Sequence, residues 1–131
     1  MQTVLVADDE DSLRILVGTV FEEDYRLIEA SDGDEALTLA REHQPDLLVV
    51  DWMMPGRTGV EVTAELRREA AFAHTPIILL TAKSQRDDVH LALASGVTAY
   101  LNKPFSPAEL LDLASQLLAA QPPHAPAKGA V

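Results

Sequence analysis

Short, continuously apolar runs alternate along the chain with segments whose apolar residues recur at helical spacing. The runs are "TVLVA" (3–7), "LLVV" (47–50), "IILL" (77–80) and the shorter "AYL" (99–101). This is the pattern of βα units. It constrains the fold more than any other feature, because parallel strands joined by helical crossovers build a sheet covered on both faces. "YRLIEA" (25–30) carries Arg26 and Glu29 among its apolar residues and is placed at an edge of the sheet. In the first crossover Leu13, Leu16, Val17, Val20 and Phe21 form one buried stripe, with Arg14 and Glu22 on the outer side. Further helices are predicted over 34–43, with Ala36, Leu37 and Ala40 inward, and over 59–70, with Val62 and Leu66 inward. The fourth, over 85–95, is short and weakly apolar with Asp87, Asp88 and His90 exposed, which fits a movable element. The last, over 107–120, has Ser106 as N-cap and Pro107 in its first turn, and buries Leu110, Leu113, Ala114, Leu117 and Leu118.

Five such units account for residues 3 to 120, and 131 residues suffice for one domain with a real core rather than two. The remaining "QPPHAPAKGAV" (121–131) lacks a burial pattern and reads as a disordered tail or linker stub. There is no cysteine, hence neither a disulfide framework nor a thiolate metal site. His43, His74, His90 and His124 show no ligand spacing and read as surface residues. A formal charge of -11 argues against nucleic acid as a direct partner, since binding to it runs on Lys and Arg neutralising phosphates, and favours cations or basic surfaces. No apolar run approaches ~18 residues and no basic leader precedes the first strand, so a soluble cytoplasmic protein without membrane attachment is expected.

A parallel sheet presents its functional groups at the carboxyl ends of the strands. Asp8 and Asp9 follow the first strand here, Asp51 ends the third, Thr81 and Ala82 end the fourth, and Lys103 with Pro104 end the fifth. Each alone has an ordinary explanation as a helix cap or a solvated surface residue; their coincidence on one rim does not. Two carboxylates about 4 Å apart repel by about 4 kcal/mol at an effective dielectric of 20. Three of them with one lysine therefore call for further compensation. A divalent cation with oxygen ligands supplies it, and Mg²⁺ suits a site with few protein ligands. A proton shared between carboxylates at a raised pKa is the alternative.

The acidic pair "DD" (8–9), "DWMMPG" (51–56), "TA" (81–82) and "YLNKPF" (100–105), in this order and one crossover apart, resemble the receiver domains of bacterial two-component response regulators. The resemblance covers residues 3 to 120 and implies a flavodoxin-like, doubly wound five-stranded parallel sheet in order 2-1-3-4-5 with five helices, residues 1–120 forming the receiver domain. It implies that Asp51 is the phosphoryl acceptor, and that Asp8, Asp9, Asp51 and the backbone carbonyl of Met53 hold Mg²⁺. Lys103 is then the lysine that pairs with the phosphoryl oxygens, Thr81 the hydroxyl that closes on them, and Tyr100 the aromatic switch. The Lys103–Pro104 peptide is cis in this family. The implied donor is a phosphohistidine on a sensor histidine kinase or phosphotransfer protein. The implied output is a downstream protein or domain bound through the face of the fourth helix, fifth strand and fifth helix, with a phosphorylation-linked homodimer as one form. Met53 and Lys83, beside the acceptor and switch positions, are expected to influence how long the phosphoryl group survives; Trp52 either packs on the domain's own surface, the favoured reading, or lies near the site.

Rival readings stay open at this level. One is a Mg²⁺-dependent phosphatase or phosphotransferase with an aspartate nucleophile, although the haloacid-dehalogenase type needs a second acid where Met53 stands. Another is a flavin or nucleotide module on the same fold, which lacks here a glycine-rich phosphate loop after the first strand. The third is a pseudo-receiver that binds partners without chemistry. The chain reads either as a stand-alone regulator or as the receiver part of a longer protein.

Overall fold

Five parallel strands, β1 (Thr3–Ala7), β2 (Arg26–Ala30), β3 (Leu47–Asp51), β4 (Ile77–Thr81) and β5 (Ala99–Asn102), form one sheet in the order β2-β1-β3-β4-β5. The computed structural model describes residues 1–82 and 86–120; the expectations for Lys83, His124, the Asp87 side chain and the segment 121–131 lie outside the described residues. Helices α1 (Asp11–Phe21), α2 (Gly33–His43), α3 (Gly59–Arg67), α4 (Arg86–Ser95) and α5 (Pro107–Ala120) alternate with the strands. The doubly wound, flavodoxin-like arrangement implied by the resemblance is the one observed, with the charged strand β2 at an edge.

The sheet separates two cores, because successive residues of a buried strand point to opposite faces. On one side Val4, Val6, Leu47, Val49, Ile78 and Leu80 pack against Val17 and Phe21 of α1 and Leu110, Ala114 and Leu118 of α5. On the other, Leu5, Leu48, Val50, Ile77 and Leu79 meet α2 and α3 through Leu37, Ala40, Val62 and Leu66, with Trp52 also in this cluster. Every residue of β3 and β4 is buried, as continuous apolar runs require of central strands.

Local chemistry sets the helix starts. The Asp32 side chain accepts from the Glu35 N–H at 2.7 Å. Thr58 and Glu61 close a capping box on α3, and Ser106 and Glu109 exchange the equivalent bonds at α5, as Ser106 was expected to do. Two expectations need correction. Leu16 is 44% exposed, and Ile15 beside it 61%, so the buried stripe of α1 is narrower than its apolar content. The α3 segment ends at Arg67 and passes through a 3₁₀ turn, Ala70–Phe72, that seats Phe72 in the core.

Arg67 organises the end of the sheet remote from the acidic strand ends. Its guanidinium donates to the carbonyls of Gly96 (2.9 Å), Phe72 (2.6 Å) and Thr75 (2.7 Å) and to the Thr98 hydroxyl (3.2 Å), tying the residues just after α4 to the loop before β4. Gly96, at φ +104°, has no room for a side chain, because a Cβ there would stand 2.7 Å from Arg67 Cγ.

Candidate functional site

Strand order reverses at β1, which has β2 on one side and β3 on the other, and the crevice at such a point collects groups from the strand ends. Asp8 is the first residue beyond β1 and Asp51 the last of β3, and both are buried. Asp51 is paired in register with Leu80, and the N–H of Trp52 donates to the Leu80 carbonyl at 2.9 Å, so β3 stays hydrogen-bonded through its last residue. The chain then turns back on itself. The Gly59 N–H donates to the Trp52 carbonyl at 2.8 Å, and a Cβ at Gly59 would collide with the Asp51 carbonyl oxygen.

Lys103 follows β5. Its N–H donates to the Thr81 carbonyl at 2.8 Å, and its Nζ lies 2.7 Å from Asp51 Oδ1. The Lys103–Pro104 peptide is cis, as the resemblance implies. Thr81 is buried at the end of β4, opposite Asn102 of β5. Tyr100, half-buried on β5, packs against the core on the α2 and α3 side. Met53 is 58% exposed, and Trp52 packs against the domain as favoured, but inside the core and not on the surface.

Asp8, Asp9 and Asp51 each place a carboxylate oxygen within 4.8 Å of the others. Among the described residues Lys103 is the one cation in ion-pair contact with this cluster. Burial pushes the Asp8 carboxyl up to about 6; the Glu10 N–H pulls it down and the charge of Asp51 pushes it further up. Burial raises the Asp51 carboxyl as well, against the opposing hydrogen bond from Lys103. Asp8 Oδ1 accepts from the Glu10 N–H at 2.9 Å, whereas Oδ2 is buried without a hydrogen-bond partner among the described residues. A buried carboxylate oxygen left unpaired is costly. With two further carboxylates in reach it fits a hard divalent cation, which takes oxygen ligands.

One residue at the site departs from its expected place. Arg14, placed on the outer side of the first helix, keeps only 17% of its side chain exposed and donates to the Asp8 backbone carbonyl at 2.9 Å. Helical periodicity assigns any charged position to solvent and cannot register a first turn tucked under a strand end.

The family model described as "Response regulator receiver domain" matches residues 4–115. The phosphate regulon transcriptional regulatory protein PhoB of Pseudomonas aeruginosa is 37% identical over 111 residues, covering 84% of this chain and 48% of that protein. The transcriptional regulatory protein PdtaR of Mycobacterium tuberculosis is 44% identical over 110 residues, covering 82% of this chain and 52% of that protein. The chain thus spans about half the length of the curated relatives it matches. Among solved structures, the receiver domain of the sensor histidine kinase PA1611 from P. aeruginosa, with a magnesium ion coordinated in its active-site cleft, superposes with a TM-score of 0.84 at 28% identity, covering 91% of this chain and 98% of that one.

Proposed function

The chain belongs to the response regulator receiver domain family, and on that premise we propose that it takes a phosphoryl group from a phosphohistidine donor onto Asp51 and thereby switches a partner-binding face. The observation that carries this reading is the Asp51 carboxylate at the buried end of a central strand, 2.7 Å from Lys103 Nζ and beside the Asp8 and Asp9 carboxylates. A carboxylate oxygen of Asp51 attacks phosphorus while the bond from phosphorus to the donor imidazole nitrogen breaks. The imidazole leaves with that electron pair and stays neutral if it carried a proton on its other nitrogen.

Asp8, Asp9, Asp51 and the Met53 carbonyl are the groups that would hold Mg²⁺. When bound, it supplies positive charge that offsets the carboxylates and the phosphoryl oxygens. Lys103 is already seated on Asp51, so its ammonium needs little rearrangement to pair with a phosphoryl oxygen. The Thr81 hydroxyl donates to another, and Tyr100, next to the α4 side of the sheet, reports the change. On this reading the protein is a regulator that catalyses only its own phosphorylation and dephosphorylation, working in the cytoplasm with a sensor histidine kinase or phosphotransfer protein upstream. Its output is a downstream protein or domain on the α4-β5-α5 face.

The test is incubation with Mg²⁺ and a small-molecule phosphodonor, read by intact mass. Wild type is expected to gain one phosphoryl group and Asp51→Asn none. A gain that persists in Asp51→Asn, or no gain in wild type, sinks the reading.

A further inference from the structure

Asp8 is fixed at every polar atom but one. Its N–H donates to the Ala30 carbonyl at 3.1 Å, its Oδ1 accepts from the Glu10 N–H at 2.9 Å, and its backbone carbonyl accepts from Arg14 Nη1 at 2.9 Å. The remaining atom, Oδ2, is the buried oxygen without a partner among the described residues. The bond from Arg14 matters because of which carbonyl it holds. That carbonyl belongs to the peptide linking Asp8 to Asp9, and a peptide is planar. Holding its oxygen therefore fixes ψ of Asp8 and φ of Asp9 together, and so the directions in which both side chains leave the backbone.

Arg14 is itself held in place. Its guanidinium bonds Asp11 Oδ1 at 2.6 Å within α1 and reaches Glu29 Oε1 on β2 at 3.3 Å, so three elements meet at one planar group. Its charge is thus shared with two carboxylates outside the acidic cluster. A guanidinium with several donors in a fixed fork can serve a carbonyl and two carboxylates at once, which a lysine ammonium on a flexible stem does less well.

We propose that Arg14 is a positioning residue for divalent-cation binding: it locks the Asp8–Asp9 peptide plane so that both acidic side chains converge beside Asp51. This rests on the reading of the acidic cluster as a Mg²⁺ site.

The experiment is Mg²⁺ titration of wild type, Arg14→Met and Glu29→Gln, followed by calorimetry and by the fluorescence of Trp52, the one tryptophan of the chain and the neighbour of Asp51. Melting of each protein in chelator is measured in parallel. Loss of an outer-shell orienting group typically costs about tenfold or more in metal affinity, and Arg14→Met is expected to show a loss of that size. Glu29→Gln, which keeps the guanidinium available to the Asp8 carbonyl, is expected to bind Mg²⁺ as wild type does. A purely structural role predicts a lower melting temperature in chelator with unchanged affinity of the folded protein, and that result overturns the proposal. So does a loss in Glu29→Gln equal to that in Arg14→Met, because the effect then belongs to local charge and not to the peptide plane. Should Arg14→Met not fold, Arg14→Gln is judged by the same criteria. If wild type itself binds no Mg²⁺, the reading of the site fails and this inference with it; if wild type binds and Arg14→Met binds equally, only the inference fails.

Discussion

Asp8 has no exposed surface, and its carboxyl rises from 3.8 to about 6 in the folded chain. An acid whose pKa is raised by folding stabilises the folded state while protonated. That contribution is complete below pH 3.8 and is lost as pH rises through about 6. Ionised Asp8 therefore costs the metal-free protein on the order of 3 kcal/mol at neutral pH. Asp8→Asn retains an acceptor for the Glu10 N–H and removes the charge. In chelator at pH 7 it is expected to unfold at higher denaturant than wild type, with the difference closing toward pH 4; added Mg²⁺ is expected to stabilise wild type and not the variant. Equal stability of the two at pH 7 would falsify this account. The acids, the hydroxyl and the lysine were legible as a group because a parallel sheet sends every strand end to one rim, which turns positions far apart in sequence into neighbours. Arg14 was not, since nothing in a helical stripe distinguishes a charged residue facing water from one turned under toward a backbone carbonyl.

At the scale of elements, the turn from β3 into α3 sets where the Asp51 backbone lies. Gly59 starts the helix directly against that strand, with Leu79 Cδ1 2.8 Å from where a Cβ would stand and the Asp51 carbonyl oxygen nearer still. Gly59→Ala is expected to destabilise by about 1–3 kcal/mol, the usual cost of forcing an atom into a packed site. It should also slow phosphorylation of the protein that remains folded; a variant with wild-type melting and wild-type rate would remove this close approach as a determinant. Nothing in the sequence pattern marks what this glycine touches, because contact across a turn leaves no periodic trace. The same blindness explains Leu16, since apolar spacing marks residues able to be buried and not those that are. A three-residue 3₁₀ turn such as Ala70–Phe72 is too short to show any period at all.

For the whole molecule, strand number, edge strand and helix alternation were all readable, and the order 2-1-3-4-5 came from the motif resemblance, since apolar runs alone do not say which neighbours pair. Moving such a domain from 1:99 to 99:1 between two states takes roughly 5.5 kcal/mol. A hydrogen bond to a charged group contributes about 1.5–3 kcal/mol, so on the proposed function new bonds from Thr81 and Lys103 would supply a large part of it. Thr81→Ala is accordingly expected to accept the phosphoryl group and yet lose most of its phosphorylation-dependent partner binding, measured by association in the presence of beryllofluoride; binding that survives the substitution rules this coupling out. Arg67 bears on what such a shift looks like. Two of its hydrogen bonds hold the chain just after the heel of α4 and two hold the loop before β4, at the end of the sheet away from the acids. A rod clamped at its heel answers a push at the toe by swinging, and ten residues at 1.5 Å each make a lever arm of roughly 15 Å. A tilt of about five degrees at the clamp then carries the far end through roughly 1 Å.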